Sequence, residues 1–208
     1  MLKKTLTKVV AAAALALGVA GFAFAGTANL SKVSDDLYTA STSVDGVTVS
    51  TKTSTANAAA NKLANDVITD IKRLVAQNSS NAFQVMFGDE AMDAVGKALG
   101  ITGTAAENLE INEVAPFKVT GWTSGDLKVT LSFPTVYKAG AKLAVKIGSR
   151  DSLGQLQWKT YEATANDKGA VEFTMDEASL KDLVNEDTCI VVFNKKGDVD
   201  QAKTAAKK

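Results

Sequence analysis

The chain has 208 residues, with 23 basic and 23 acidic side chains, no histidine and a single cysteine. Without histidine, His-based triads, Cys–His pairs and His metal sites are excluded. One cysteine cannot close an internal disulfide, and with no basic cluster beyond the terminal QAKTAAKK a nucleic-acid partner lacks its electrostatic footprint.

The first 25 residues read as a signal peptide. Lys3, Lys4 and Lys8 precede an apolar run over residues 9–24, and Ala23-Phe24-Ala25 fits a small-x-small cleavage site before Gly26. The run is about 16 residues long and is broken by Gly18 and Gly21, short of the roughly 20 apolar residues a span needs. Cys189 is far from this site, which excludes lipoprotein processing. The expectation is an exported chain, extracellular, at the cell surface or periplasmic, with no membrane span after cleavage. Cleavage removes three lysines and no acid, so the mature protein is slightly acidic.

Residues 26–53 are rich in Thr, Ser, Ala, Asn and Asp and form a polar arm or a short hairpin, with Asp45-Gly46 as a two-residue turn beside Val47 and Val49. Residues 54–107 are helical in pattern. Ala60, Ala64, Val67, Ile68, Ile71, Leu74 and Val75 recur at helical spacing, with Ser54 or Thr55 as the cap and Asn78-Ser79-Ser80 as the stop. In GDEAMDAVGKALGIT, Asp89 or its neighbour caps a second helix with Met92, Val95 and Leu99 on its apolar line and Gly100 as its end. Phe83, Val85, Met86 and Phe87 just before it suit a seat against a sheet.

From residue 108 to 196 the period changes to two. Val129, Leu131 and Phe133 alternate with Lys128, Thr130 and Ser132; Leu143, Val145 and Ile147 with Lys142, Ala144 and Lys146; Val171, Phe173 and Met175 with Glu172 and Thr174. Gly-containing turns separate these runs, and no helical crossover intervenes until DEASLKDLVNED, where Asp176 caps a short helix carrying Leu180, Leu183 and Val184. The predicted fold class is α+β: a helical N-terminal part followed by an antiparallel Greek-key β-sandwich, Ig-like, with residues 197–208 as a flexible tail.

In QLQWKTYEA, Leu156 and Trp158 share one face and Tyr161 falls on the other. Trp158 is therefore expected between two sheets and Tyr161 outside or at a rim. Trp122, in TGWTSGD, lies beside a turn. Trp122 and Tyr161 are the candidate ligand-binding residues, the tryptophan as a surface on which a sugar ring stacks. With Pro134, Gly140, Trp158, Gly169, Val171, Phe173 and Val191 in this order, residues 125–196 resemble the small β-sandwich modules of exported and surface proteins of anaerobic Firmicutes. The resemblance implies an accessory or interaction module and brings no catalytic residues.

No catalytic, cofactor or metal constellation emerges. Ser124 in GWTSG is one place late for a nucleophile elbow. Asp89-Glu90 and Asp176-Glu177 sit where helix N-termini favour acids. Neither NDKG at 166–169 nor Asp198-Val199-Asp200 has calcium-loop spacing. Cys189 lies in an apolar run as a buried, inert thiol. The expected function is non-enzymatic: protein interaction, adhesion or self-assembly, with other proteins, itself or cell-envelope glycan as partner. A carbohydrate- or small-ligand-binding module and a carboxylate-based hydrolase are the alternatives. Mass spectrometry of the protein from its native cells is expected to find Gly26 at the N-terminus, and an intact Met1 on the major form would overturn the export reading.

Overall fold

The structure, a computed structural model, describes residues 39–51, 57–76, 82–101 and 109–206. The expected signal peptide, the first part of the polar arm, the expected cap at Ser54 or Thr55 and the expected stop at residues 78–80 lie outside the described residues.

Eight strands and five helices are described. β1 (Thr39–Thr42) and β2 (Thr48–Ser50) come first, then α1 (Ala58–Ala76), α2 (Ala82–Phe87) and α3 (Asp89–Leu99). β3 (Leu109–Thr120), β4 (Leu127–Ser132), β5 (Lys142–Arg150), β6 (Leu156–Ala165) and β7 (Val171–Met175) follow, then α4 (Glu177–Leu183), β8 (Thr188–Lys195) and α5 (Gln201–Ala206). All the strands belong to one antiparallel sheet in the order β1-β4-β7-β6-β5-β8-β3-β2.

That order corrects the expected Greek-key sandwich. There are not two facing sheets but one, curled until it is nearly closed like a barrel. Local alternation is the same in both architectures, because each needs strands with one apolar face. What closes the sheet is residues 39–50. β1 pairs with β4 at one end of the sheet and β2 with β3 at the other, and residues 43–47 join them. In that corner the Val47 N–H donates to the Val44 carbonyl (3.3 Å) and the Ser43 N–H to the Lys128 carbonyl (3.0 Å). Gly121, at φ 78°, lets β3 end against this corner, since a Cβ there would collide with the Gly46 carbonyl oxygen.

The register separates the two faces. On β5, Leu143, Val145 and Ile147 lie opposite Ala163 and Tyr161 of β6 and Val192 and Ile190 of β8. These point into the barrel, where the Phe173 ring lies 5.8 Å from Tyr161 and 6.4 Å from Phe117. Ala144, Lys146 and Gly148 share the other face with Phe193, Val191, Cys189, Thr160 and Trp158. That outer face is covered by helices: α1 packs on β3 and β8, and α3 on β5 and β6. The amphipathic pattern of α1 explains its seat, with Ala60, Leu63, Ala64, Val67, Ile68, Ile71 and Leu74 all buried. α3 ends as its sequence requires: Gly100 takes φ 63° while its N–H and that of Ile101 satisfy the Lys97 and Gly96 carbonyls. At its start the cap is Gly88, the neighbour of Asp89, and it makes no side-chain hydrogen bond.

Helical cover explains two reversed face assignments. Trp158 lies on the outer face, under α2, rather than between two sheets. Its ring meets Phe87 edge-on at 4.8 Å, its indole N–H donates to the Met86 carbonyl at 3.2 Å, and it fills the space over Gly148, where a Cβ would sit 2.6 Å from it. Tyr161, expected outside or at a rim, is buried in the barrel. Trp158→Ala is expected to cost about 3 kcal/mol of stability in urea melts, through lost packing under α2, and Trp158→Phe about 1 kcal/mol through the lost hydrogen bond.

Candidate functional site

Strand β6 is longer than its partner β7, and the site follows from that mismatch. Their ladder runs from Ala165–Val171 to Ala163–Phe173 and stops. Beyond it, β7 stays with β4 as far as Leu127–Met175, while β6 stays with β5 as far as Leu156–Arg150. The end of β7 is held on the β4 side. Asp176 caps α4 by accepting from the Ser179 N–H (2.8 Å), the Glu177 N–H donates to Asp126 (2.9 Å), and the Glu177 carboxylate accepts from the Gly125 N–H (3.1 Å). The two strands therefore diverge into a slit.

The direction of the main-chain groups can be read from the hairpin end. The Ala165 N–H donates to the Ala141 carbonyl (3.0 Å) and its carbonyl accepts from the Gly140 N–H (2.8 Å), so Ala165 points toward β5. Main-chain groups alternate sides along a strand. Tyr161 and Ala163 thus also face β5, while Trp158, Thr160 and Glu162 face the slit. Continuing the register, Glu162 would meet Thr174, but no ladder pair forms there. The Glu162 carbonyl still meets the Thr174 N–H, as the Ala163–Phe173 pair requires, and beyond it Thr160 and Trp158 have no β7 partner among the described residues.

The slit opens as a groove of about 490 Å³. Thr160, Glu162 and Thr164 line it from β6, Glu172 and Thr174 from β7, and Lys128 from β4, with the buried Tyr161 and Phe173 beneath. Its charges are uneven. Lys128 pairs with Glu172 at 2.8 Å, and this contact, with a bond from the Asn166 amide at 3.0 Å, lowers the Glu172 pKa. Glu162 is exposed and in no ion pair among the described residues. Lys159, next to Thr160 on β6, reaches Asp182 of α4 at 2.7 Å.

The two sequence-nominated residues do not come together here. Tyr161 lines the groove. Burial is the main reason its pKa is pushed up to about 12, with Asp176 and Asp182 adding to the rise. Its hydroxyl makes no well-formed hydrogen bond; Ser179 comes near, but donates to Asp176 at 2.8 Å. Trp122 is not in the groove. It is half-buried against the core and its indole N–H donates to the Gly125 carbonyl at 2.8 Å, so it staples its own turn. Cys189 is buried and its pKa pushed up to about 12 by burial, which makes it a poor nucleophile.

The residue that sequence reading passed over is Lys146, assigned there only to the polar side of an alternating strand. Its amine is buried under α2, donates to the Thr160 hydroxyl at 2.7 Å and lies 5.8 Å from the centre of the Phe87 ring. A second buried polar group sits between β3 and β8, where Asn112 donates to Asn194 at 2.7 Å and both amides approach Glu110 at 3.4 and 3.3 Å. Glu113 alongside accepts from the Thr135 N–H at 2.9 Å. Among the described residues no three acids, cysteines or histidines gather as a metal site, and no helix is long and apolar enough to cross a membrane.

Compared with known proteins, the chain matches no family model and no curated sequence.

Burial lowers the Lys146 pKa to about 8. Folded Lys146 thus binds fewer protons than unfolded Lys146 between about 8 and the ordinary 10.5, so its contribution to stability rises with pH across that window. Lys146→Met is expected to raise stability by up to about 3 kcal/mol at pH 7. That advantage should shrink as the pH climbs from 8 to 10.5 in paired urea melts.

Proposed function

We propose that this is an exported protein that works by binding rather than catalysis, and that the open edge of β6 accepts an extended polypeptide as an additional strand. The observation that carries the reading is the slit: past the last β6–β7 pair, the Glu162 N–H and the main chain of Thr160 turn toward an open groove with no β7 partner among the described residues. An unpaired strand edge is a template for another strand. Strand addition takes its affinity from main-chain hydrogen bonds and its selectivity from alternate side chains. The groove supplies both, with Glu162 and three threonines on its outer face and aromatic rings beneath. Export is supported by the three-part pattern of residues 1–25.

The test uses a phage-displayed library of random decapeptides panned on the mature chain, followed by hydrogen exchange with the selected peptides. The expected result is slowed exchange at the Thr160 and Glu162 amides. Glu162→Pro, which removes a slit-facing N–H and leaves the β5 ladder intact, should abolish binding, while Glu162→Gln retains it. Peptides that bind without protecting those amides, or no selected peptide at all, would overturn the reading.

A further inference from the structure

We propose that α2 is a proton-controlled latch: uptake of a proton by Lys146 releases α2 from the outer face of the sheet and bares Trp158 and Phe193 while the barrel stays folded.

The latch is lightly built. α2 is six residues long and packs on α1 and α3. Its described holds on the sheet are two. The Phe87 ring lies 4.8 Å from Trp158 and 5.2 Å from Phe193, and the Met86 carbonyl accepts from the Trp158 indole N–H. Gly88 joins α2 to α3 at φ 80°, a joint whose glycine lets one helix swing without the other.

What the latch covers resists burial. Lys146 is fully buried. A protonated amine carries three donors, and here the Thr160 hydroxyl accepts one of them at 2.7 Å while the Phe87 ring centre lies 5.8 Å away. Gln84 precedes Phe87 by three residues, which puts both on one side of α2, and its Oε1 is buried with no hydrogen-bond partner. Lifting α2 returns the amine and the carbonyl to water, which satisfies both.

No counter-ion among the described residues offsets a charge on Lys146. On β5 its neighbours on this face are Ala144 and Gly148, neither titratable. On β6 the one charged neighbour is Glu162, diagonally placed and exposed. On β8 the one titratable neighbour is Cys189, held as a neutral thiol by its raised pKa. α2 has no titratable residue in its sequence, and the described charged side chains of α3, Asp93 and Lys97, are exposed. An ammonium under this apolar cover therefore favours the open state and a neutral amine the closed one. Burial lowers the Lys146 pKa to about 8 in the closed state, and the open state restores the ordinary 10.5. Closing thus releases a proton between those values. The opening constant rises by up to about ten-fold per unit as the pH falls from 10.5 to 8, and is level below 8.

The experiment is hydrogen exchange, followed by NMR, of the two tryptophan indole N–H groups in the mature chain and in Lys146→Met, from pH 7 to 10.5. The Trp158 indole donates to α2 and reports the latch; the Trp122 indole donates to its own turn and serves as the internal standard. Dividing the parent's rate by the variant's at each pH removes the base catalysis common to both. For Trp158 this quotient should fall at least about thirty-fold between pH 8 and 10.5 and stay level below 8. For Trp122 it should stay level throughout. In the parent alone, the Trp158 rate relative to that of Trp122 should fall over the same window, a readout that needs no variant to fold. A Trp158 quotient indifferent to pH denies Lys146 its control and overturns the latch. Trp122 exchange that follows Trp158 overturns it too, because the whole chain would then be opening.

Discussion

Strand β8 is sealed from water on both sides, and the molecule is arranged around that requirement. Its residues from Thr188 to Asn194 are all buried. One set of alternate side chains, including Ile190 and Val192, faces the barrel interior, and the other, Cys189, Val191 and Phe193, needs a separate cover. A sheet face of this kind cannot be left in water; burying it contributes roughly 25 cal/mol per Å² of apolar surface. The helices α1 to α3 supply the cover, and Phe87 is its central contact, meeting both Trp158 and Phe193 at 4.8 and 5.2 Å.

The cover is one-sided, and so is the chemistry of the surface. β4 and β7 show alternating buried and more exposed residues, because among the described residues no helix packs closely on their outer face. β6 belongs to both regimes: its first half runs under α2 and α3, and its second half joins β7 in the bare part of the sheet. The slit opens at the boundary between the two. Lys146 sits on the covered side of that boundary, and its hydrogen bond to Thr160 ties the buried amine to a residue whose main chain faces the slit.

Much of the local structure is legible in the sequence. The apolar stripe of α1, the Gly100 stop, the Asp176 cap and the strands of the β region all follow from spacing and turn chemistry. The closure of the sheet is not legible, because the pairings of β1 with β4 and β2 with β3 join residues some 70 to 90 positions apart without any local mark. Trp158 shares its face with Leu156, yet an apolar neighbour cannot distinguish a barrel interior from an outer face roofed by helices. Tyr161 shares its parity with Gln157 and Lys159, which looks polar; those two lie where β6 runs past the barrel, and only Tyr161 reaches its inside. The slit depends on where a ladder stops, and residues 160–162 carry no glycine or proline to announce it.

Cys189 occupies the roofed face, opposite Gly148 and fully buried. A thiol-modifying reagent can therefore reach it only when the helices lift from the sheet or the chain unfolds as a whole. With no second cysteine to interfere, the labelling rate under native conditions is a direct clock for that opening. The protein carries its own single-site reporter of how tightly the helical roof is fastened.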